Sequence, residues 1–196
     1  MTQSIDPLEM FETPARLGKL GAQARQRMFG EEVWIRPAPK HEAPDVAALL
    51  RDDEVVDLRA WPEPDALRSG DRVVVQAEGT AEGRRRYVAW LRAVADNGPK
   101  DIAIAPTSPA PSGMQRLWCI AAARVLLPAH IRVEARHDLV GIRLAQLAVG
   151  CGADTLAGPL EPDRKLPLAG VTRPNEATHA GLATLVRQVG LTPHAA

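Results

Sequence analysis

The sequence predicts an α/β fold, a partial βα barrel of about five to six parallel strands with helices outside them. Short β-branched runs alternate with amphipathic helical stretches along the 196 residues. From residue 71 onward these strand–helix units recur about every 25 to 30 residues, which is typical of βα units. Strict alternation requires crossover connections, and these produce parallel strands. A doubly wound sheet is less favoured, because no glycine-rich turn between a strand and a helix marks a nucleotide-binding crevice.

The amino-terminal elements are a helix and a short strand. Apolar residues recur at helical spacing over residues 8–29, and Gly30 follows as a stop signal. The apolar run 33–35 predicts a strand, which the proline-rich segment after it ends. Residues 45–51 predict one or two helical turns.

The rest of the chain supplies the repeated βα units. Further strands are predicted for the apolar runs at 55–58, 72–75, 102–105, 131–133 and 154–156. Amphipathic helices are predicted at about 82–96, 113–127, 138–150 and 175–189. We interpret residues 1–196 as one domain, with a leading helix over 1–30, a shortened and degenerate region over 31–70, and βα repeats over 71–196. In such folds functional side chains follow the carboxyl ends of the strands, so we expect the site there.

The charge and composition exclude several classes of protein. Lysine and arginine together number 24, aspartate and glutamate also number 24, and the formal net charge is zero. The chain therefore has no overall field that would draw it to nucleic acid or to an anionic membrane. No apolar run approaches the roughly 20 residues of a membrane-spanning helix, so we expect a cytoplasmic protein with no nucleic-acid or membrane partner. The two cysteines and five histidines lack metal-ligand spacing, and we predict no metal site.

The carboxyl-terminal half resembles a known family. An Ala-Arg-x-x-Leu stretch at 123–127 precedes a predicted strand, a Gly-x-x-x-Ala-Gln-x-Ala helix spans 141–148, and Gly-Ala-Asp follows at 152–154. On these motifs, and on residues 17–35 and 78–98 upstream, the sequence resembles the radical S-adenosylmethionine enzymes of the futalosine route to menaquinone. Aminofutalosine synthase and dehypoxanthine futalosine cyclase are members, and FO synthase is a relative. The resemblance implies a barrel with outer helices.

The motif that holds the cofactor in that family is missing here. Its enzymes carry Cys-x-x-x-Cys-x-x-Cys after the first strand, and the three thiolates hold a four-iron, four-sulfur cluster. This sequence has RPAPKHEAPD at 36–45, with no cysteine. The resemblance therefore implies shared descent and fold without the family's radical reaction. We expect no iron–sulfur cluster, while binding of S-adenosylmethionine stays open.

The sequence favours a non-redox, degenerate relative that acts as a binding or accessory protein, that is, a pseudoenzyme. A shortened barrel leaves an open edge, and we expect an exposed apolar patch there that a protein partner or a second copy in a homodimer would cover. The alternative is a small-molecule enzyme or a metabolite sensor that uses the barrel mouth. Its ligand would be a futalosine-like nucleoside, an aromatic acid or S-adenosylmethionine.

Seven residues near the predicted strand ends are candidate ligand-binding residues, and no catalytic residue is assigned. They are Arg59, Glu78, Thr80, Glu134, Arg136, His137 and Glu161. The guanidinium of an arginine suits a carboxylate ligand, and a histidine transfers protons near neutral pH. For Thr80 the alternative is a helix N-cap, and for Glu134 and Arg136 it is a surface salt bridge.

Overall fold

One eight-stranded sheet organises the described part of the chain. The computed structural model describes residues 6–110, 112–162 and 176–195. The strands are β1 (Glu32–Pro37), β2 (Ala47–Arg51), β3 (Glu54–Leu58), β4 (Arg72–Gln76), β5 (Ala103–Thr107), β6 (Arg132–Arg136), β7 (Thr155–Gly158) and β8 (Thr192–Ala195). The helices are α1 (Pro14–Phe29), α2 (Ala81–Asn97), α3 (Gly113–Leu126), α4 (His137–Val140), α5 (Ile142–Val149) and α6 (His179–Gln188). Among these described helices, none combines the length and apolarity needed to cross a membrane.

The strand order in the sheet is β3-β2-β4-β5-β6-β7-β1-β8. The six strands from β4 to β8 in this order are parallel to one another. At one edge, β2 and β3 form an antiparallel hairpin, and β2 pairs antiparallel with β4. The predicted α/β fold, with about six parallel strands and outer helices, is confirmed. The first strand of the chain, β1, lies between β7 and β8, so the two ends of the chain meet in the sheet.

The prediction of helical turns over residues 45–51 was wrong. This segment leads into β2, which pairs with both β3 and β4. Asp52 and Asp53 at the tip of the hairpin have φ angles of 49° and 64°, the left-handed conformation that a tight two-residue hairpin turn requires. A short apolar run fits a strand and a helix equally well, and the pairing with β4 decides between them.

Two more elements differ from the sequence prediction. The helix predicted over 138–150 is divided into α4 and α5 by Gly141, whose φ angle is 88°. Strand β8 was not predicted, because it contains Pro193 and lacks alternating apolar residues. Its pairing with β1 is a tertiary contact, which local sequence patterns do not predict.

The two faces of the sheet differ in polarity. Alternate residues of β4, β5 and β6, namely Val73, Val75, Ile104 and Val133, belong to the main apolar core with the helices. The opposite face, which we call the inner face, carries a small apolar cluster of Ala48, Val74 and Ala105. Because side chains alternate along a strand, Arg72 and Glu134 share the inner face with Val74 and Ala105. The inner face therefore mixes small apolar residues with buried charges.

A buried ion pair fastens the helices to the sheet. Arg124 of α3 and Asp154, which precedes β7, have no solvent exposure, and Nη1 of Arg124 lies 3.0 Å from Oδ2 of Asp154. The same Oδ2 accepts a hydrogen bond from the backbone N–H of Val133 at 2.9 Å. The second guanidinium nitrogen donates to the carbonyl oxygens of Leu127 and Pro128. One carboxylate thus links α3, β6 and β7.

We expect Asp154→Asn to lower the free energy of unfolding by about 3–5 kcal/mol, because it leaves the buried guanidinium of Arg124 without its counter-charge. Urea unfolding at neutral pH measures the loss. The control is Asp96→Asn on the exposed side of α2, which should change the free energy by no more than about 0.5 kcal/mol. Equal effects of the two substitutions would contradict the role of the Arg124–Asp154 pair.

Candidate functional site

A carboxylate clamped by arginines lies at the centre of the inner face. Glu134 of β6 is 1% exposed. Nε and Nη2 of Arg72, on β4, donate to its two carboxylate oxygens at 2.9 Å and 3.1 Å. Nη1 of Arg36, on β1, lies 3.8 Å from Oε1 of the same carboxylate. Paired hydrogen bonds from a planar guanidinium hold the carboxylate in one orientation, so Glu134 ties β4 to β6 across β5.

Residues 38–46, which we call the strap, cross the carboxyl ends of the strands. The strap begins after β1, where the N–H of Ala38 donates to the carbonyl of Gly158 at 2.9 Å. It ends at β2, where the N–H of Gln76 donates to the carbonyl of Val46 at 2.9 Å. Since β1 pairs with β7 and β2 pairs with β4, the strap passes from one side of the parallel strands to the other.

Inner-face arginines hold the strap and the residue before it. Nη1 of Arg72 donates to the carbonyl of Pro37 at 2.8 Å. Nη2 of Arg136 donates to the carbonyl of Pro39 at 3.0 Å. The strap has proline at 39 and 44, and a proline offers a backbone carbonyl but no N–H to its neighbours. The carboxyl ends of the parallel strands, which we call the barrel mouth, are therefore crossed by a backbone segment that inner-face arginines bind.

The donor groups present do not fit an iron–sulfur cluster at this position. The strap contains no cysteine, and the chain's two thiols lie in the helix layer. Cys119 is buried in α3, and burial raises the pKa of its thiol to about 12. Burial also raises the pKa of Cys151, in the turn after α5. Cluster ligation requires thiolates, whereas these two thiols are held protonated and away from the mouth.

The predicted residues Glu78 and Thr80 serve the start of α2. Oγ1 of Thr80 accepts a hydrogen bond from the N–H of Gly83 at 2.9 Å, which is the N-cap alternative. Oε1 of Glu78 lies 3.8 Å from Nη1 of Arg86, and both side chains are exposed. Neither contact involves the strap.

Glu134 and Arg136 share the inner face but bind different partners. The guanidinium of Arg136 donates to both carboxylate oxygens of Asp138 at 2.9 Å and 2.7 Å. Both Glu134 and Arg136 are buried, so each belongs to an internal ion pair rather than to a surface salt bridge. Near the end of β7, the backbone of exposed Glu161 forms a bridge with Thr178.

His137 lies directly after β6 and packs against the end of β7. A Cβ added to Gly158 would lie 2.4 Å from Nε2 of His137, so the ring occupies space that only glycine leaves free. His137 is 7% exposed, and its Nε2 makes no hydrogen bond within the described residues. Burial lowers the pKa of this imidazole, opposed by the nearby carboxylate of Asp138.

One cavity borders the strap, and a second is lined by inner-face arginines. The larger, about 570 Å³, lies between the strap and the end of β3. It is lined by Arg59 and by His41, whose Nε2 lies 3.0 Å from Oδ1 of Asp57. The second, about 410 Å³, opens near the amino ends of β4, β5 and β6 and is lined in part by Arg36, His130 and Arg132.

The structure does not gather the seven predicted residues into either of these cavities, since Arg59 is the one of them that lines one. The seven candidates do not include Arg36, which sequence reasoning placed only at a strand end, or Arg72 and Arg132, and these three arginines bring most of the charge to the inner face. One feature of the sequence could have indicated them: each is an arginine at an inward-facing position of a largely apolar strand.

A comparison with solved structures supports the observed fold, whereas two comparisons of the sequence found no match. No protein-family model and no curated protein matches the sequence. Among solved structures, the crystal structure of methylornithine synthase (PylB) matches with a TM-score of 0.53 and 11% sequence identity. The match covers 98% of this chain and 95% of that chain. At this identity the match shows the fold alone.

We expect protein stability to fall as the pH drops from 7.5 to 5.5, in part because of His137. Its pKa in the folded protein lies below the ordinary value of about 6.5, so the unfolded chain takes up the proton first and is favoured in acid. His137→Gln should reduce this pH dependence, measured by urea unfolding at both pH values. His179→Gln, at an exposed position of α6, is the matched control. An unchanged slope in His137→Gln would contradict the assignment.

Proposed function

We propose that this protein is a non-redox, degenerate relative of the radical S-adenosylmethionine enzymes that works as a binding or accessory protein in the cytoplasm. The observation that carries the proposal is the strap. By the sequence resemblance the strap corresponds to the family's cluster loop, directly after the first strand, and its backbone is hydrogen-bonded to Gly158, Gln76 and Arg136. A place in the futalosine route rests on the sequence resemblance of residues 113–161.

The contacts of the strap support this role. A radical enzyme of this family must place a cluster and the cofactor side by side at the carboxyl ends of the strands. Here Gln76, Arg136 and Gly158 at three of those ends are hydrogen-bonded to residues 38–46. Opening the mouth would leave the buried guanidinium of Arg136 without its carbonyl partner, which is costly. A strap that is anchored at three strand ends supports a non-redox role over radical chemistry.

The open edges of the sheet are the proposed docking places for a partner or a second copy. At the β3 edge, Val56 is 52% exposed and is followed by Asp57, whose carboxylate is also exposed. At the other edge, Pro193 lacks one backbone donor of β8. A charge on one edge strand and a proline on the other limit indiscriminate pairing, so a partner must complement them specifically.

A second candidate function is a small-molecule enzyme or sensor at the larger cavity. The observation that favours it is the hydrogen-bonded pair of His41 and Asp57 beside Arg59. A carboxylate fixes the tautomer and orientation of an imidazole that acts as a base, and an arginine binds the carboxylate of an aromatic acid. This candidate uses the strap itself as part of the site.

Anaerobic reconstitution with iron and sulfide tests the proposed function. We expect no cluster absorption in the visible spectrum, and no 5′-deoxyadenosine when S-adenosylmethionine and dithionite are added. An enzyme that carries the three-cysteine motif is the positive control. The double variant Cys119→Ser, Cys151→Ser shows whether any bound iron depends on the two thiols. A stoichiometric cluster with cleavage of S-adenosylmethionine would contradict the proposal.

A further inference from the structure

The second cavity has a markedly cationic lining. It has a volume of about 410 Å³ and lies between the loops that precede β4, β5 and β6. Its charged and polar lining residues are Arg36, Arg132, His130, Ser69 and Asp101. This volume lies within the range of about 300–1,000 Å³ that small-molecule sites occupy. The cavity lies near the amino ends of these strands, away from the strap.

Arg36 lacks a counter-charge of its own. The carboxylate nearest to it belongs to Glu134, and both oxygens of that carboxylate already accept hydrogen bonds from Arg72. Within the described residues the Arg36 guanidinium makes no hydrogen bond, and its side chain is 38% exposed. Burial lowers the pKa of Arg36, and the positive charges of Arg72 and Arg132 lower it further against the opposite effect of Glu134. A bound anion would relieve this repulsion.

Arg132 also lacks a hydrogen-bonded counter-charge. Its Nη1 is buried 3.6 Å from Oδ1 of Asp154, whereas the side chain as a whole is 33% exposed. Within the described residues its guanidinium makes no hydrogen bond, so its exposed part is available to a ligand. The oxygens of Asp154 are taken by Arg124, by the N–H of Val133 and by the hydroxyl of Thr155. Two buried carboxylates, Glu134 and Asp154, are therefore shared among four guanidinium groups.

Aromatic rings hold the Arg132 guanidinium in place. Its central carbon lies 3.8 Å from the ring centroid of Trp34 and 4.5 Å from that of Phe29. Such stacking fixes the plane of the guanidinium while leaving its N–H groups available at the edge. The loops at the cavity are also tied together, because the N–H of Asp101 donates to the carbonyl of His130 at 3.0 Å and the N–H of Gly70 donates to that of Asp101 at 3.1 Å. The lining is thus formed before any ligand binds.

We propose that this cavity is a binding site for a small molecule that carries a phosphate group. The phosphate oxygens accept hydrogen bonds from the guanidinium groups of Arg36 and Arg132, the geometry that planar guanidinium groups provide for phosphate. The remainder of the molecule reaches His130 and the exposed carboxylate of Asp101, which accepts a hydrogen bond from a hydroxyl of the ligand. The site stands apart from the strap, so it does not depend on whether the protein binds a cluster.

Calorimetric titration with inorganic phosphate tests the site, with chloride at equal ionic strength as the reference. We expect Arg36→Gln to weaken phosphate binding at least about tenfold, since hydrogen bonds to charged groups are worth that much. Arg36→Gln should still fold, because both carboxylate oxygens of Glu134 keep their hydrogen bonds from Arg72. Arg85→Gln, on the exposed face of α2, removes the same charge elsewhere and should leave phosphate affinity unchanged.

A second variant keeps the test independent of Arg36. Ser69 is exposed, so Ser69→Glu leaves the fold intact and places a carboxylate in the lining. It should also abolish phosphate binding. The proposal is overturned if the wild type does not bind phosphate, if both lining variants bind it as the wild type does, or if Arg85→Gln loses affinity as much as Arg36→Gln. The two proposals fail separately: if an iron–sulfur cluster formed in the reconstitution experiment, the proposed function would be wrong, but the phosphate titration would still give the same result.

Discussion

The burial of the Glu134 carboxylate between arginines is the constraint on which the inner face depends. A carboxylate with 1% exposure is stable only if it is paired and hydrogen-bonded, and Arg72 supplies both contacts. The same guanidinium also donates to the carbonyl of Pro37. The ion pair therefore fixes the separation of β4 and β6 and also the point where the chain leaves β1. The path of the strap begins at that point.

The two faces of the sheet have different roles in the fold. On the outer face, the strands pack against helices through valine, isoleucine and leucine, and the Arg124–Asp154 pair locks α3 to the strands. On the inner face, charged side chains lie among small apolar residues, and most of these charged side chains are arginines. The backbone carbonyls of Pro37 and of Pro39 in the strap accept hydrogen bonds from Arg72 and Arg136, while the guanidinium groups of Arg36 and Arg132 are partly exposed and make no hydrogen bond within the described residues.

Local patterns in the sequence predict the helices and the parallel strands, because periodicity and capping are short-range. The N-cap at Thr80 and the strand at 72–75 are examples. The sequence does not show β2 or β8, whose conformations are decided by pairing with β4 and β1. It also does not show that Glu134 pairs with Arg72, which lies 62 residues earlier in the chain. Local patterns identify the candidate residues at strand ends individually. They do not identify the partners of these residues, because tertiary structure determines which side chains meet.

Native-state amide exchange at Ala38, followed by NMR, tests most directly whether the strap is a fixed part of the fold. Its N–H donates to the carbonyl of Gly158, just as the N–H of Trp34, on the preceding strand β1, donates to the carbonyl of Asp154. If the strap is fixed, we expect the two amides to be protected to a similar degree, because the hydrogen bond of Ala38 extends the pairing of β1 with β7 by one residue. Exchange of Ala38 at the rate of an unstructured loop, with Trp34 still protected, would mean that the mouth is open and would contradict the account.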